Sequence, residues 1–220
     1  VNLSNTSATI TYTITPFVSG CSGASVNYVV TVRPKPEVAA SDQSICSGQS
    51  TGISITDPNN VAGTTFTWVV QSSTNVNGAG AGSGNTIGQV LTSADAVSSG
   101  TVVYRITPSA NGCTGDPLDI TATVTPVTVI TNAAADFSVQ ICSDQPLNFL
   151  PTASIGGTTY SWTSTISGPI SAGSVTAAGS GAIVDTPLNT GNVSGTVTYR
   201  ITPAFSGCNG SPVDLVVNVR

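Results

Sequence analysis

Between Ala8 and Thr15 apolar and hydroxyl side chains alternate without a break, with Ile10, Tyr12 and Ile14 on one face and threonines on the other. A period of two with one apolar face predicts a half-buried strand. The same alternation returns at Val102, Tyr104 and Ile106, and again at Val197, Tyr199 and Ile201. Phe66, Trp68 and Val70 share a face in an earlier segment, and Tyr160 and Trp162 take the corresponding places in another. Strands are predicted near residues 26–32, 38–45, 52–56, 64–70, 87–91, 101–107 and 118–124. No segment carries an amphipathic helical period.

The alternating phrase is itself repeated. It reads TYTITPFVSGC ending at Cys21, VYRITPSANGC ending at Cys113 and TYRITPAFSGC ending at Cys208, separated by 113 − 21 = 92 and 208 − 113 = 95 residues. A period that long denotes tandem domains, because solenoid repeats run roughly 20–50 residues. Residues 1–36 read as the last two strands of a module whose front is missing, followed by modules at 37–126 and 127–220. The chain is accordingly expected to be part of something longer. Arg33-Pro34-Lys35-Pro36 reads as a stiff linker. Asn77 to Asn85, NGAGAGSGN, reads as a flexible connection, and Gly179-Ser180-Gly181 matches its Gly82-Ser83-Gly84. Short strands, frequent turn residues and no helix predict an all-β protein of tandem immunoglobulin-like β-sandwich modules arranged as a rod. Trp68, Tyr104, Trp162 and Tyr199 are its expected core markers.

Composition narrows the chemistry. Charged residues make up 7% of the chain, histidine is absent, and the net charge is −5 with only Arg33, Lys35, Arg105, Arg200 and Arg220 basic. No basic stripe exists for phosphate contacts, so nucleic acid is excluded as an expected partner. No apolar run of about 18 residues is present, so no membrane contact is expected in this segment. Serine–histidine catalysis has no histidine to use. The acidic residues are scattered, with only Asp116/Asp119 and Glu37/Asp42 close in sequence, so no enzyme activity is expected. Asp119 and Asp214 read as strand-edge charges that discourage sheet pairing. Arg105 and Arg200 point away from the tyrosine face, with a paired carboxylate or an exposed position as the default. Calcium could use Asp57, Asn59, Asn60 and Asp116 near Glu37, but turn chemistry accounts for Asp57-Pro58-Asn59. The reading is therefore no metal and no cofactor. GSGN lacks a following Lys-Ser/Thr and is read as a loop, not a phosphate cradle.

Ile45-Cys46-Ser47-Gly48, the Trp68 strand, VVYRITP and Asn111-Gly112-Cys113 together resemble the PKD-like, immunoglobulin-like repeats of giant Bacteroidota surface adhesins of the gliding-motility type. The third repeat carries Ile141-Cys142-Ser143-Asp144, Trp162, TYRITP and Ser206-Gly207-Cys208, departing at Asp144 where the other copy has Gly48. The resemblance implies a structural or adhesive segment of a large bacterial surface protein, exported by the type IX route and placed extracellularly. Its partners would be neighbouring repeats of the same chain and a surface polysaccharide or solid substratum. The other functional class is a carbohydrate-binding or accessory module of a secreted hydrolase. With Trp68 and Trp162 in core positions, Phe17 and Phe205 near their hairpin tips are the aromatics left to stack on sugar.

Five cysteines without a CxxC pair or histidine argue for disulfides over zinc. The simple pairing joins Cys46 to Cys113 and Cys142 to Cys208, leaving Cys21 alone. Immunoglobulin topology raises an objection, since it puts the first turn and the last hairpin at opposite poles, one strand length apart. Cys46 would then face Cys208, chaining one module to the next. Free thiols are the third possibility.

Overall fold

The computed structural model describes residues 2–220. The chain divides into two compact units, one of residues 1–91 and 100–123, the other of residues 92–99 and 124–220. Strand dominates both. Among the described residues the helical elements are two 3-10 turns, Ala134–Phe137 and Ala172–Ser174.

In the second repeat the main sheet runs in the order Gly82–Ser83, Thr65–Thr74, Gly100–Ala110, Leu118–Thr125, Gln43–Cys46. The third repeat has the same order, reading Ala178–Ser180, Thr159–Ser167, Gly195–Phe205, Val213–Val219, Ser138–Ile141. We call Thr65–Thr74 and Thr159–Ser167 the tryptophan strands. Ala8–Ile14, Gly100–Ala110 and Gly195–Phe205 are the tyrosine strands. Val26–Val32, Leu118–Thr125 and Val213–Val219 are the closing strands. The facing layer is built from short pairs, Ile53–Ser54 with Thr86–Ile87 and Leu147–Phe149 with Ile183–Asp185. The arrangement is an immunoglobulin-like sandwich, as the alternation predicts.

The inward faces of the two layers make each core. Val102, Tyr104 and Ile106 are fully buried, together with Ile87 and Leu91 from the opposite layer. Val197, Tyr199 and Ile201 do the same in the third repeat, joined by Ile183, Leu215 and Val217. There the Trp162 ring meets Tyr199 edge-on, with centroids 5.6 Å apart and planes at 79°. Such pairs add about 0.5–1.5 kcal/mol beyond area burial. All four core markers lie where the alternation puts them.

The first repeat contributes two antiparallel strands, with Ile10 opposite Val30, Tyr12 opposite Tyr28 and Ile14 opposite Val26. This is the face that the second layer covers elsewhere. Here Tyr12 is 54% exposed, against 0% for Tyr104 and Tyr199.

The glycine-rich segment after the tryptophan strand corrects the sequence reading. It is not a flexible connection but an ordered edge strand. Gly82 pairs with Trp68 and Gly179 with Trp162. A Cβ at either glycine would stand 2.5 Å or 2.4 Å from the indole, so only glycine lets the ring lie flat across the edge strand. Gly84 and Gly181 then donate to the carbonyls of Phe66 and Tyr160, both at 3.0 Å.

Candidate functional site

Among the described residues the features that recur lie at the two ends of each repeat. At one end the tyrosine and closing strands are joined through a tight turn. Ser19-Gly20, Asn111-Gly112 and Ser206-Gly207 all have positive φ at both residues, between 46° and 87°. That is the type I′ geometry whose twist suits a hairpin, and it explains the Asn-Gly and Ser-Gly pairs. The turn residues are the two just before each cysteine, with Ala110 opposite Cys113 and Phe205 opposite Cys208.

Two residues beyond each cysteine stands a glycine that donates back to a proline carbonyl: Gly23 to Pro16 at 2.8 Å, Gly115 to Pro108 at 2.9 Å and Gly210 to Pro203 at 2.8 Å. Gly115 is crossed by the incoming linker so closely that a Cβ would lie 2.0 Å from the Pro36 carbonyl oxygen. Gly210 stands in the same relation to Thr128, also at 2.0 Å. The hairpin cysteine therefore marks the end at which the linker enters a repeat. Further contacts fasten the linker to that end of the second repeat. Arg33 donates to the Asn111 carbonyl at the hairpin tip, and Lys35 pairs with Asp116 at 2.6 Å. Asn59 donates to the Lys35 carbonyl at 2.8 Å and accepts from the Glu37 amide at 3.1 Å.

The opposite end is marked by the other cysteine. In the third repeat the first strand runs parallel to the closing strand, with Ile141 level with Val219. Arg220 donates to the Ile141 carbonyl at 3.1 Å and accepts from Ser143 at 2.8 Å, which brackets Cys142. Cys46 has the same place, at the end of a first strand that neighbours the closing strand Leu118–Thr125. The two cysteines of one repeat are thus separated by the closing strand. Its seven residues, Val213–Val219, span about 20 Å at ~3.3 Å per residue. A disulfide tolerates Cα atoms no more than about 7 Å apart.

This geometry overturns the intramodule pairing. Cys46 and Cys208 are in disulfide form, whereas Cys21, Cys113 and Cys142 carry free thiols. Neither Cys46–Cys113 nor Cys142–Cys208 is formed.

Two polar networks were only partly visible in sequence. Tyr104 donates to Gln89 at 2.7 Å, and Gln89 in turn bridges the Gly80 amide and carbonyl at 3.0 and 2.7 Å. Tyr199 donates to Asp185 at 2.6 Å, and that buried carboxylate also accepts from the Thr176 hydroxyl at 2.7 Å and from its amide. Burial raises both hydroxyls above the usual tyrosine range, and for Tyr199 the hydrogen bond to Asp185 and the charge of that carboxylate add to the rise. Arg105 meets Asp119 through two bonds of 2.7 Å, and Arg200 meets Asp214 at 3.2 Å. Asp119 and Asp214 are therefore cross-strand partners inside the sheet, not edge guards. The hydrogen bonds from Arg105 hold the Asp119 carboxyl below its ordinary range.

The residues considered for calcium are turned to other uses. Asp57 accepts from the Val61 amide at 2.8 Å and the Thr64 hydroxyl at 2.7 Å, closing its own turn. Asn59 and Asp116 serve the linker, and Asn60 donates to the Pro58 carbonyl at 3.4 Å. Among the described residues no three acidic or cysteine side chains gather as a metal set. Trp68 and Trp162 are each 6% exposed, which withdraws them from sugar stacking, while Phe17 is 73% exposed.

Two layers of short strands, a tyrosine strand against a tryptophan strand and type I′ hairpins define a tandem immunoglobulin-like β protein. A PKD-like domain family model matches residues 1–36, 43–128 and 139–220. The chain belongs to the PKD-like domain family. No curated protein matches it. Among solved structures it is similar to the insect immune protein hemolin, at 12% identity over 84% of this chain and 49% of that one, TM-score 0.40. It is likewise similar to the titin I-band fragment I67–I69 (12% identity, 84% and 64% covered, TM-score 0.38). Chicken CNTN1 FN1–FN3 gives 12% identity, 96% and 77% covered, TM-score 0.37. Among the described residues no helix is long and apolar enough to cross a membrane.

Proposed function

We propose that this chain is a spacer segment of a large extracellular bacterial surface protein, in which PKD-like modules at 37–126 and 127–220 follow the closing hairpin of another at 1–36. Its task is mechanical: it holds a binding region away from a surface, as in adhesins of the gliding-motility type. The reading rests on the tandem repetition of PKD-like domains at residues 1–36, 43–128 and 139–220. Cys46 and Cys208 are oxidised, a state that the oxidising surroundings of an extracellular protein sustain.

Mechanical unfolding of the chain by single-molecule force spectroscopy tests this directly. Separate unfolding events for the second and third repeats are expected, each at a force well above that which unfolds a helical bundle. Extension of the whole chain without a resolved force peak would sink the spacer reading. The carbohydrate-binding alternative draws on exposed Phe17 and half-buried Phe205. Glycan-array binding lost in Phe17→Ala or Phe205→Ala would favour it.

A further inference from the structure

We propose that the tyrosine strand of the first repeat, Ala8–Ile14, is an acceptor edge to which an extended PKD-like segment of another chain adds as a strand. Among the described residues Ala8–Ile14 pairs with Val26–Val32 alone. The register runs from Ala8 opposite Val32 to Ile14 opposite Val26 without a bulge, and ATITYTI holds no charge and no proline. Charges, prolines and bulges are the devices that keep an open edge from pairing with another chain, and this edge has none of them.

The other two repeats show what such an edge takes. In both, a tryptophan strand lies along the tyrosine strand, with Trp68 opposite Ile106 and Trp162 opposite Ile201. Those isoleucines stand at the place of Ile14, since 113 − 106 = 208 − 201 = 21 − 14 = 7. In the third repeat the pairing is continuous from Thr159 opposite Ala204 to Ser167 opposite Thr196. The face behind the first repeat's edge is open as well. Ile10, Tyr12, Ile14, Val26 and Tyr28 are between 46% and 65% exposed, whereas Val197, Tyr199, Ile201 and Leu215, the counterparts of Ile10, Tyr12, Ile14 and Tyr28, are fully buried.

Area decides between occupants. These five side chains leave on the order of 600 Å² uncovered, short of the ~800 Å² per partner of a stable interface between folded proteins. A second folded copy laid on this face therefore lacks the area. An added strand brings main-chain hydrogen bonds as well, with alternate side chains filling the face. The opposite edge, on Val26–Val32, offers less, because the first strand of the third repeat pairs with its closing strand only over Ser138–Ile141. Tyr12 sets a polar requirement on the occupant. Tyr104 donates to Gln89 and Tyr199 to Asp185, so a segment that covers Tyr12 must bring an amide or carboxylate oxygen to its hydroxyl. The occupant is thus a tryptophan strand together with the short facing strand that carries this acceptor.

The test titrates the full chain into a fluorescein-labelled synthetic peptide of residues 157–187, which holds Tyr160, Trp162 and Asp185, and reads anisotropy. Saturable one-to-one binding is expected. Tyr12→Asp, at an exposed position, is expected to abolish it by placing a charge in the apolar contact. A peptide in which Tyr160 and Trp162 change places with Ser161 and Thr163 turns its aromatics to the other face and is expected not to bind. Asp185→Ala in the peptide is expected to weaken binding about tenfold, the loss of one hydrogen bond to a charged group. Against a Tyr12→Phe chain that change should cost nothing further. Absence of binding overturns the proposal, and so does equal binding to the Tyr12→Asp chain, which exchange into the third repeat would give. A dimer of the chain that Tyr12→Asp dissolves, with no peptide binding, would make a second copy the occupant and also overturn it.

Discussion

The second and third repeats hold the same buried tyrosine by different chemistry. Tyr104 is satisfied by a neutral amide, Gln89, which also clamps the glycine-rich segment at Gly80. Tyr199 is satisfied by a buried carboxylate, Asp185, which fastens the connection at Thr176. The two acceptors do one job, closing the connection after the tryptophan strand onto the core, yet they differ in what their loss would leave behind. Asp185→Ala strips the acceptor from a fully buried phenol and from the Thr176 hydroxyl, and hydrogen bonds to charged groups contribute about 1.5–3 kcal/mol each. We expect a loss of about 3 kcal/mol from the third repeat. Gln89→Ala breaks a neutral bond and frees Gly80 groups that water can reach, so about 1–2 kcal/mol is expected from the second. Urea unfolding followed by Trp162 fluorescence in a Trp68→Phe background, and by Trp68 in a Trp162→Phe background, reads each repeat separately. Equal losses would show that the carboxylate's charge contributes nothing.

The same contrast predicts a difference in alkali. An unfolded tyrosine ionises near pH ~10, while both buried hydroxyls are raised above that. A group whose folded value is raised contributes its stability in full below the unfolded value and loses it as pH climbs. The loss is about 1.4 kcal/mol per pH unit per tyrosine, continuing until the folded value is reached. Tyr199 has the carboxylate added to burial, so its decline continues over a wider interval than that of Tyr104. Half-buried Tyr160, raised by burial, adds to the loss in the third repeat. Unfolding midpoints measured from about pH 9 to about pH 11.5 should fall in both repeats, and Asp185→Asn should narrow the interval for the third. A flat midpoint across that range would mean that neither phenol is held neutral by the fold.

These two acceptors also show where sequence reading stops. Tyr104 and Tyr199 are legible because alternation and repetition agree on them, and Trp68 and Trp162 likewise. Gln89 and Asp185 are not, since they differ in residue type and lie 15 and 14 positions before their tyrosines. A polar residue on a short strand reads as solvent-facing unless its partner is known. NGAGAGSGN read as flexible because glycine's freedom is visible in sequence, whereas the indole that requires Gly82 is visible only in three dimensions. The cysteines were half legible. Topology alone warned that Cys46 and Cys113 stand a strand apart, but it took the structure to show Cys113 and Cys142 as thiols. Asp119 and Asp214 were misread as edge residues because the first strand, which covers the closing strand, is short and weakly patterned.

The smallest difference lies across the tyrosine and closing strands, at one position in all three repeats. The second repeat has Arg105 bidentate to Asp119 at 2.7 Å, the third has Arg200 to Asp214 at 3.2 Å, and the first has Thr13 bonded to Asn27 at 2.9 Å. Each partner follows fourteen residues later, since 119 − 105 = 214 − 200 = 27 − 13 = 14. Cross-strand complementarity is kept while charge is optional, which is what a register marker requires and a charged ligand site does not. Exposed pairs of this kind contribute about 0–1 kcal/mol and weaken with salt. Arg105→Thr with Asp119→Asn, which installs the first repeat's pair in the second, should therefore move its urea midpoint by less than about 1 kcal/mol, with any loss vanishing at about 1 M salt. A loss that persists in high salt would assign the arginine stem a packing role on the sheet and separate the second repeat from the first more deeply than their shared register suggests.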